Sequence, residues 1–384
     1  MMVPADSERN VSLDMSVPHV GVATAYRNAS KLEKNGVQMV LKKGVTPVRL
    51  EEMEHFLNEY PDRSAALLLR DGFRDGFKIL SVDVEIKLST KNLKSALQFP
   101  EVVSEKLSKE VLLGRMAGPF DAVPLANLRV SPLVVVPKKE PNKFRLIHHL
   151  LFPNGSSLND GIDPQLCLVM YTSFDAALYW VRACGKGSWL AKTDIELAFR
   201  LLPVHPDSMH LLGCFWNGGF YVDHCLPMGC SLSCSYFEAF NTFLEWTVRE
   251  VSGLKSCIHY LDDFLFIVPA QSTNSSLLRT MESLAKCFGI PLAQDKTVGP
   301  VTSLSFLGIE FDSLKMECRL PMDKVVEMRV EVHRVSDLKK ATLREVQSLL
   351  GKLNFAYPCP WGGPLVAGCR WRRLGFDLRT IILD

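Results

Sequence analysis

The 384-residue chain has no run of about 18 apolar residues, so nothing in it reads as a membrane-spanning helix. Its opening, MMVPADSERNVSLDM, lacks the basic stretch followed by an apolar segment that a secretory signal needs. The expectation is a soluble, intracellular protein, cytoplasmic or nuclear and not secreted. Eleven cysteines are scattered without a CxxC pair or the Cys/His spacing of a zinc site, which argues for free thiols in a reducing compartment. Charge of one sign is also missing: the formal net charge is +2, so the chain creates no strong overall field, and any nucleic-acid surface must come from local clustering. Internal repeats and low-complexity tracts are absent, which excludes a solenoid or a linker-like chain. What remains is a composition of 47% hydrophobic and 22% charged residues, that of a globular protein able to bury a core, with length for two or three domains.

Residues 1–45 are polar with weak periodicity and predict a poorly ordered leader. From residue 46 to 125 the pattern is helical: Leu50, Met53, Phe56 and Leu57 share a spacing, and Val103, Leu107, Val111 and Leu112 are expected on one face of a later helix. The character changes at RVSPLVVVPKK, where β-branched residues bounded by Pro132 and Pro137 predict a strand with KFRLIHHL as its hairpin partner. SWLAKTDIELAF reads as a strand running into a turn. SLSCSYFEAFNTFLEWTVREV reads as a long helix with Leu232, Tyr236, Ala239, Phe240, Phe243 and Thr247 inward. SCIHYLDDFLFIVP predicts two short strands, SSLLRTMESLAKCFGIP a helix stopped by Gly289 and Pro291, and LSFLGIEFD a strand pair. ATLREVQSLLGKLNF opens on a capping box, Thr342 to Glu345. This order of strands and helices predicts an α+β fold, a sheet with helices packed on one face.

Within SCIHYLDDFLFIVP, Asp262 and Asp263 interrupt an apolar run. A buried, unpaired carboxylate is costly enough that it protonates, finds a cationic partner or binds a metal. Successive side chains of a regular strand point to opposite faces, so the two share one ligand only at a tight turn between strands. Asp194 ends the strand WLAKTD, where a neighbouring strand can bring it alongside. Three converging carboxylates repel one another unless cations sit between them, and hard oxygen donors suit Mg²⁺ or Mn²⁺. Two such ions serve in-line nucleotidyl transfer. A DD pair taken alone also fits an ordinary solvated turn.

HYLDDFLF resembles the YxDD box of reverse transcriptases, and further motifs in order extend the resemblance from about Pro47 to Phe355. AKTDIELAFRLLPVHPDS is similar to that family's first catalytic motif, which implies that Asp194, Asp262 and Asp263 hold two Mg²⁺ ions, or Mn²⁺, and that Phe199 is the aromatic gate beneath the sugar. CLPMGCSLSCSYFEAF resembles the LPQG box, with Pro227 and Gly229 shaping a loop at the nucleotide and Met228 where Gln is usual. VSPLVVVPKKEPNKFRLIHHL is similar to the fingers hairpin, with Lys138 and Arg145 gripping the triphosphate of the incoming dNTP. LAQDKTVG places Lys296 at the late lysine, a proton donor to pyrophosphate or a plain helix-end lysine. The set that includes GSSLNDGI and the paired His148 and His149 resembles the reverse transcriptases of tyrosine-recombinase, DIRS-like, retrotransposons. His148 and His149 read as nucleotide-facing or structural; Lys139 and Lys143 face template phosphates or solvent.

The resemblance implies a right-hand polymerase with fingers and palm over residues 126–312, a ferredoxin-like antiparallel palm sheet backed by helices, and a partial thumb over 313–384. It implies RNA-directed DNA synthesis on a primed RNA or DNA template. Family polyproteins also carry ribonuclease H, which is not expected in the roughly 70 residues that follow the palm. Beyond Phe355 the tail AYPCPWGGPLVAGCRWRRLGFDLRTIILD departs from the family pattern and argues for a rival expectation, an inactive retroelement remnant that only binds nucleic acid, while the intact carboxylates argue against it. A metal-dependent nuclease is a third.

Overall fold

The computed structural model describes residues 40–82, 90–138, 140–272, 276–338 and 340–356. Most of the expected leader, Lys139 and the tail from residue 357 lie outside them. No described helix is long and apolar enough to cross a membrane.

The N-terminal helices α1 (Leu50–Glu59) and α2 (Arg63–Asp75) form where apolar residues recur at helical spacing. Met53 and Leu57 of α1 and Ala66, Leu69 and Phe73 of α2 are buried. The Asp62 side chain caps α2, accepting from the Ala65 amide at 3.0 Å. The short α3 (Lys94–Gln98) leads into α4 (Pro100–Leu112), which starts on proline. Val103 and Leu107 of α4 are buried, but Leu112 is 87% exposed, against the expected face. At about 100° per residue Leu112 stands on the side of the helix opposite Val103. The chain then enters β1 (Met116–Phe120), a strand within the segment read as helical.

β2 (Leu133–Pro137) and β3 (Phe144–His148) form the expected antiparallel hairpin, with Val136 opposite Arg145. Beside it β1 joins β5 (Gly213–Trp216) and β6 (Gly219–Asp223) in a sheet of order β1-β6-β5. The β5–β6 turn is Asn217-Gly218, both at positive φ, as a two-residue hairpin turn requires.

The central sheet has the order β7-β8-β4-β9, built from β4 (Trp189–Asp194), β7 (Cys257–Tyr260), β8 (Asp263–Val268) and β9 (Val298–Val301). Its neighbours are antiparallel. Alternation sends Phe264, Phe266 and Val268 into a core shared with α6 (Ser231–Ser252) and α7 (Ser276–Phe288). Leu265 and Ile267 point the other way, into a second core with Ala177 and Val181 of α5 (Phe174–Cys184). Helices therefore cover both faces of this sheet rather than one, because β8 is apolar on both sides and leaves neither for water.

The small sheet β10 (Ser303–Phe306), β11 (Ile309–Asp312) and β12 (Glu317–Arg319) extends the second core and precedes α8 (Met322–Ser336) and α9 (Leu343–Ala356). The capping box of α9 is in place: the Thr342 amide donates to Glu345 Oε2 at 2.9 Å and the Glu345 amide to Thr342 Oγ1 at 3.3 Å.

Candidate active site

The three carboxylates meet at one end of the central sheet. β4 ends at Asp194, and its antiparallel partner β8 begins with Asp263 directly opposite. Leu261 turns the chain between β7 and β8 at φ +51°, a left-handed conformation that brings Asp262 round to the same side as Asp263. The Ile195 amide donates to the Asp262 carbonyl at 2.9 Å, tying the turn to the residue after Asp194. One carboxylate oxygen from each of Asp194, Asp262 and Asp263 lies within 4.8 Å of the others. Asp194 is buried, and the other two are half-buried.

Like charges at this spacing repel by roughly 3 kcal/mol per pair at an effective dielectric of about 20. Burial, then Asp262 and Asp194, push the Asp263 carboxyl up to about 6. Burial and Asp194 raise Asp262 in the same way, against the lowering pull of Lys296 and Arg145. A donor set of three hard carboxylate oxygens, whose negative charge the single nearby ammonium of Lys296 offsets only in part, suits Mg²⁺ or Mn²⁺. These three residues therefore fit a divalent-cation site.

Lys296 joins them. The Ala293 amide donates to the Asp194 carbonyl at 2.8 Å, and the turn that follows directs Lys296 Nζ to Asp194 Oδ2 at 2.7 Å. Burial alone would lower the ammonium; the bond to Asp194 outweighs it and holds Lys296 above the usual lysine range. Charges at the tip of the β2–β3 hairpin interact with this turn at longer range. Lys143 bonds Glu140 and lowers its carboxyl, and Lys138 and Lys296 add to that effect. Lys138 and Arg145 are both exposed, Arg145 close enough to act on Asp262.

Phe199 sits in a 3-10 turn, Ala198–Leu201, entered through Leu197 and Ala198 at positive φ. It is half-buried, edge-on to Phe237 of α6 at 5.5 Å between ring centroids. Pro227 is buried and accepts a hydrogen bond from Ser233 Oγ at 2.9 Å, while Met228 is exposed. Gly229 has φ +111°, and a Cβ there would lie 2.3 Å from the His148 carbonyl oxygen, so the close approach requires glycine. His148 is buried, with Nε2 at 3.0 Å from the Gly213 carbonyl; burial lowers it to about 4, so it is a neutral structural group between β3 and β5. His149 is half-buried.

Two groupings were not read from the sequence. Asn159, within GSSLNDGI, donates from Nδ2 to the Gly229 carbonyl at 2.7 Å and accepts from the Ser231 amide at 3.0 Å, clamping the Pro227–Gly229 loop. Arg200, next to Phe199, pairs with Asp223 at 2.6 Å and with Glu110 of α4 at 2.8 Å, and Glu110 also holds Arg115. An asparagine among turn residues hints at the first; nothing local points from Arg200 to a residue 90 positions earlier.

No curated protein sequence matches the chain. Among solved structures, the foamy viral protease-reverse transcriptase dRH in complex with double-stranded DNA aligns at 16% identity, with a TM-score of 0.54, over 91% of this chain and 54% of that one. The same viral enzyme in complex with an RNA/DNA hybrid aligns at 15% identity, with a TM-score of 0.53, over 91% of this chain and 41% of that one. The chain thus spans about half the length of the first of these two structures and less of the second, and shares their right-hand polymerase fold. Residues 136–311, the stretch that holds all three carboxylates, Lys138, Arg145, Phe199, Pro227, Met228, Gly229 and Lys296, match the family model described as reverse transcriptase (RNA-dependent DNA polymerase).

Proposed function

We propose that the chain is an RNA-directed DNA polymerase of a DIRS-like retrotransposon, extending a primer 3′-hydroxyl with dNTPs along a template. The observation that carries the reading is the convergence of Asp194 with Asp262 and Asp263, from separate stretches of sequence, within 4.8 Å. Two divalent cations bound there would supply a Lewis acid for the attacking and leaving oxygens. Asp194, Asp262 and Asp263 are the residues that would hold them.

The other roles are those that the resemblance implies for these residues. Lys138 and Arg145 present positive charge on an exposed hairpin facing the carboxylates, suited to the triphosphate of a dNTP, with the guanidinium able to bind bidentately. Lys296, protonated at neutral pH, is placed to neutralise charge at Asp194 and to deliver a proton to departing pyrophosphate. Phe199 stands beneath the sugar and disfavours a 2′-hydroxyl. Pro227, Met228 and Gly229 form the floor under the base, held by Asn159. Template and primer would be recognised through duplex shape and phosphates, with base pairing choosing the nucleotide.

Primer extension on an RNA template with Mg²⁺ or Mn²⁺, run beside Asp262→Asn, tests this. The expected result is cation-dependent lengthening, reduced roughly 100-fold or more in the variant. Equal extension by both proteins sinks the assignment, as does folded wild-type protein that never lengthens a primer. Shortened primers would indicate a nuclease instead.

A further inference from the structure

We propose that a buried polar ladder on α6 sets the position of the β7–β8 turn, with Asn241 as the positioning residue for Asp262 and Asp263. The proposal rests on the polymerase reading for its consequence in catalysis, and on geometry alone for its existence. Glu238, Asn241, Glu245 and Arg249 recur every three or four residues and so share one face of α6. Cys257, His259 and Leu261 recur every two residues along β7 and its turn, so they are presented to one side. The two patterns meet rung by rung.

Arg249 donates from Nε and Nη2 to the Cys257 carbonyl at 3.1 and 2.6 Å. β7 is an edge of the sheet, so an outward carbonyl there has no strand partner and a side chain must satisfy it. Glu245 bridges Arg249 at 2.5 Å and His259 Nδ1 at 2.5 Å. His259 Nε2 makes an ion-pair contact with Glu238 at 3.2 Å, less well aligned than a hydrogen bond. Asn241, fully buried, donates from Nδ2 to the Leu261 carbonyl at 2.7 Å. Its Oδ1 has no partner among the described residues, so the bond to Leu261 is what fixes this amide.

The other buried residues of α6 are mostly apolar, Phe237, Phe240, Phe243, Leu244 and Val248 among them, and its buried Ser233, Tyr236 and Thr247 each donate to a backbone carbonyl. Polar groups in such surroundings are retained at a cost unless each finds a partner. The partners of the ladder belong to one hairpin, the one that ends in the two carboxylates. The last rung grips the residue that most needs holding. Leu261 has φ +51°, a region L-residues with bulky side chains avoid, and the direction of Asp262 depends on it. Removing the Asn241 bond lets the turn relax, which shifts the Asp262 and Asp263 carboxylates relative to Asp194 even though the Ile195–Asp262 bond and the β4–β8 pairing remain.

The test is Asn241→Leu, close in volume and unable to donate, with Asn241→Ser as a smaller variant whose hydroxyl falls short of Leu261. Folding is checked by circular dichroism, and Asn241→Ser carries the comparison if Asn241→Leu does not fold. Two readouts are taken: steady-state primer extension and Mn²⁺ affinity by electron paramagnetic resonance of the free ion. A positioning role predicts kcat lower by roughly 10- to 100-fold with KM for dNTP within about twofold, and Mn²⁺ binding weaker by roughly tenfold. Unchanged kcat and unchanged Mn²⁺ affinity in a folded variant overturn it. If the unaltered protein does not extend primers, the polymerase reading falls and the Mn²⁺ titration alone decides the ladder: weaker binding in the variant supports it, and equal binding overturns it.

Discussion

Asp263 has its carboxyl lifted to about 6 by burial and by the negative charges of Asp262 and Asp194, so in the absence of cations it opposes folding at neutral pH. The penalty is present above pH 6 and fades as the pH falls through that value, because the folded state there takes up a proton more readily than the unfolded chain. Asp263→Asn should therefore raise stability in a chelator by roughly 1–2 kcal/mol, after discounting for solvent screening. The rise in melting temperature that Mg²⁺ gives the unaltered protein should shrink in the same variant, which thermal unfolding with and without Mg²⁺ would show. Gly229 is the opposite case, a residue whose lack of a side chain is the requirement. Gly229→Ala sets a Cβ against the His148 carbonyl at a positive φ and should cost roughly 2–3 kcal/mol or displace the loop, read as a lower melting temperature and a higher KM for dNTP. The carboxylates were legible in the sequence because charges in an apolar run are out of place and each needs an explanation. The Arg200, Glu110 and Asp223 cluster was not, since each charge taken singly looks like a solvated surface residue and only the fold brings them together.

At the scale of elements, the contact of β7 with α6 gives the clearest dependence on pH. Burial by itself would hold the His259 imidazolium down, but Glu238 and Glu245 outweigh it and lift it to about 9. An imidazolium favoured by the folded state contributes stability that is complete below the unfolded value near 6.5 and is lost as the pH rises through about 9. The contribution is roughly 2–4 kcal/mol. Melting temperature should fall between pH 7 and 10 in the unaltered protein, and fall distinctly less in His259→Gln; parallel curves for the two would remove His259 as the cause. Elements with a regular period were readable from the sequence, among them the β2–β3 hairpin and α6. α5 was not, because it buries Ala177 and Val181 while Tyr179 is 61% exposed, so its large apolar residues do not mark the inner face. β1 was missed for a related reason: MAGPF contains Gly118 and Pro119, which argue against a strand until β6 is there to pair with it.

For the whole molecule, the question is what the fingers and palm need from the helices that precede them. α1 and α2 bring Met53, Leu57, Leu69 and Phe73 into the same core as Phe240 and Phe243 of α6 and Phe288 of α7, and Phe77 follows on. Phe73 meets Phe240 at 5.0 Å between centroids, and Tyr60 meets Phe243 at 5.4 Å. The sequence hinted at these helices through their period but not at their seat, because a helical face shows only that something covers it. α1 and α2 share one continuous core with α6, α7 and the central sheet. Burying an apolar side chain is worth about 1.5–3 kcal/mol, so five such residues contribute on the order of 10 kcal/mol, comparable with the entire stability of a typical domain. A fragment that starts near Val130 keeps every proposed site residue and loses α1 and α2 together with α3, α4 and β1. It should be insoluble, or bind a hydrophobic dye strongly with no cooperative unfolding transition, whereas the chain from residue 40 should unfold cooperatively. A fragment from Val130 with a sharp melting transition and undiminished primer extension would show that the catalytic end of the sheet stands without the helices that back it.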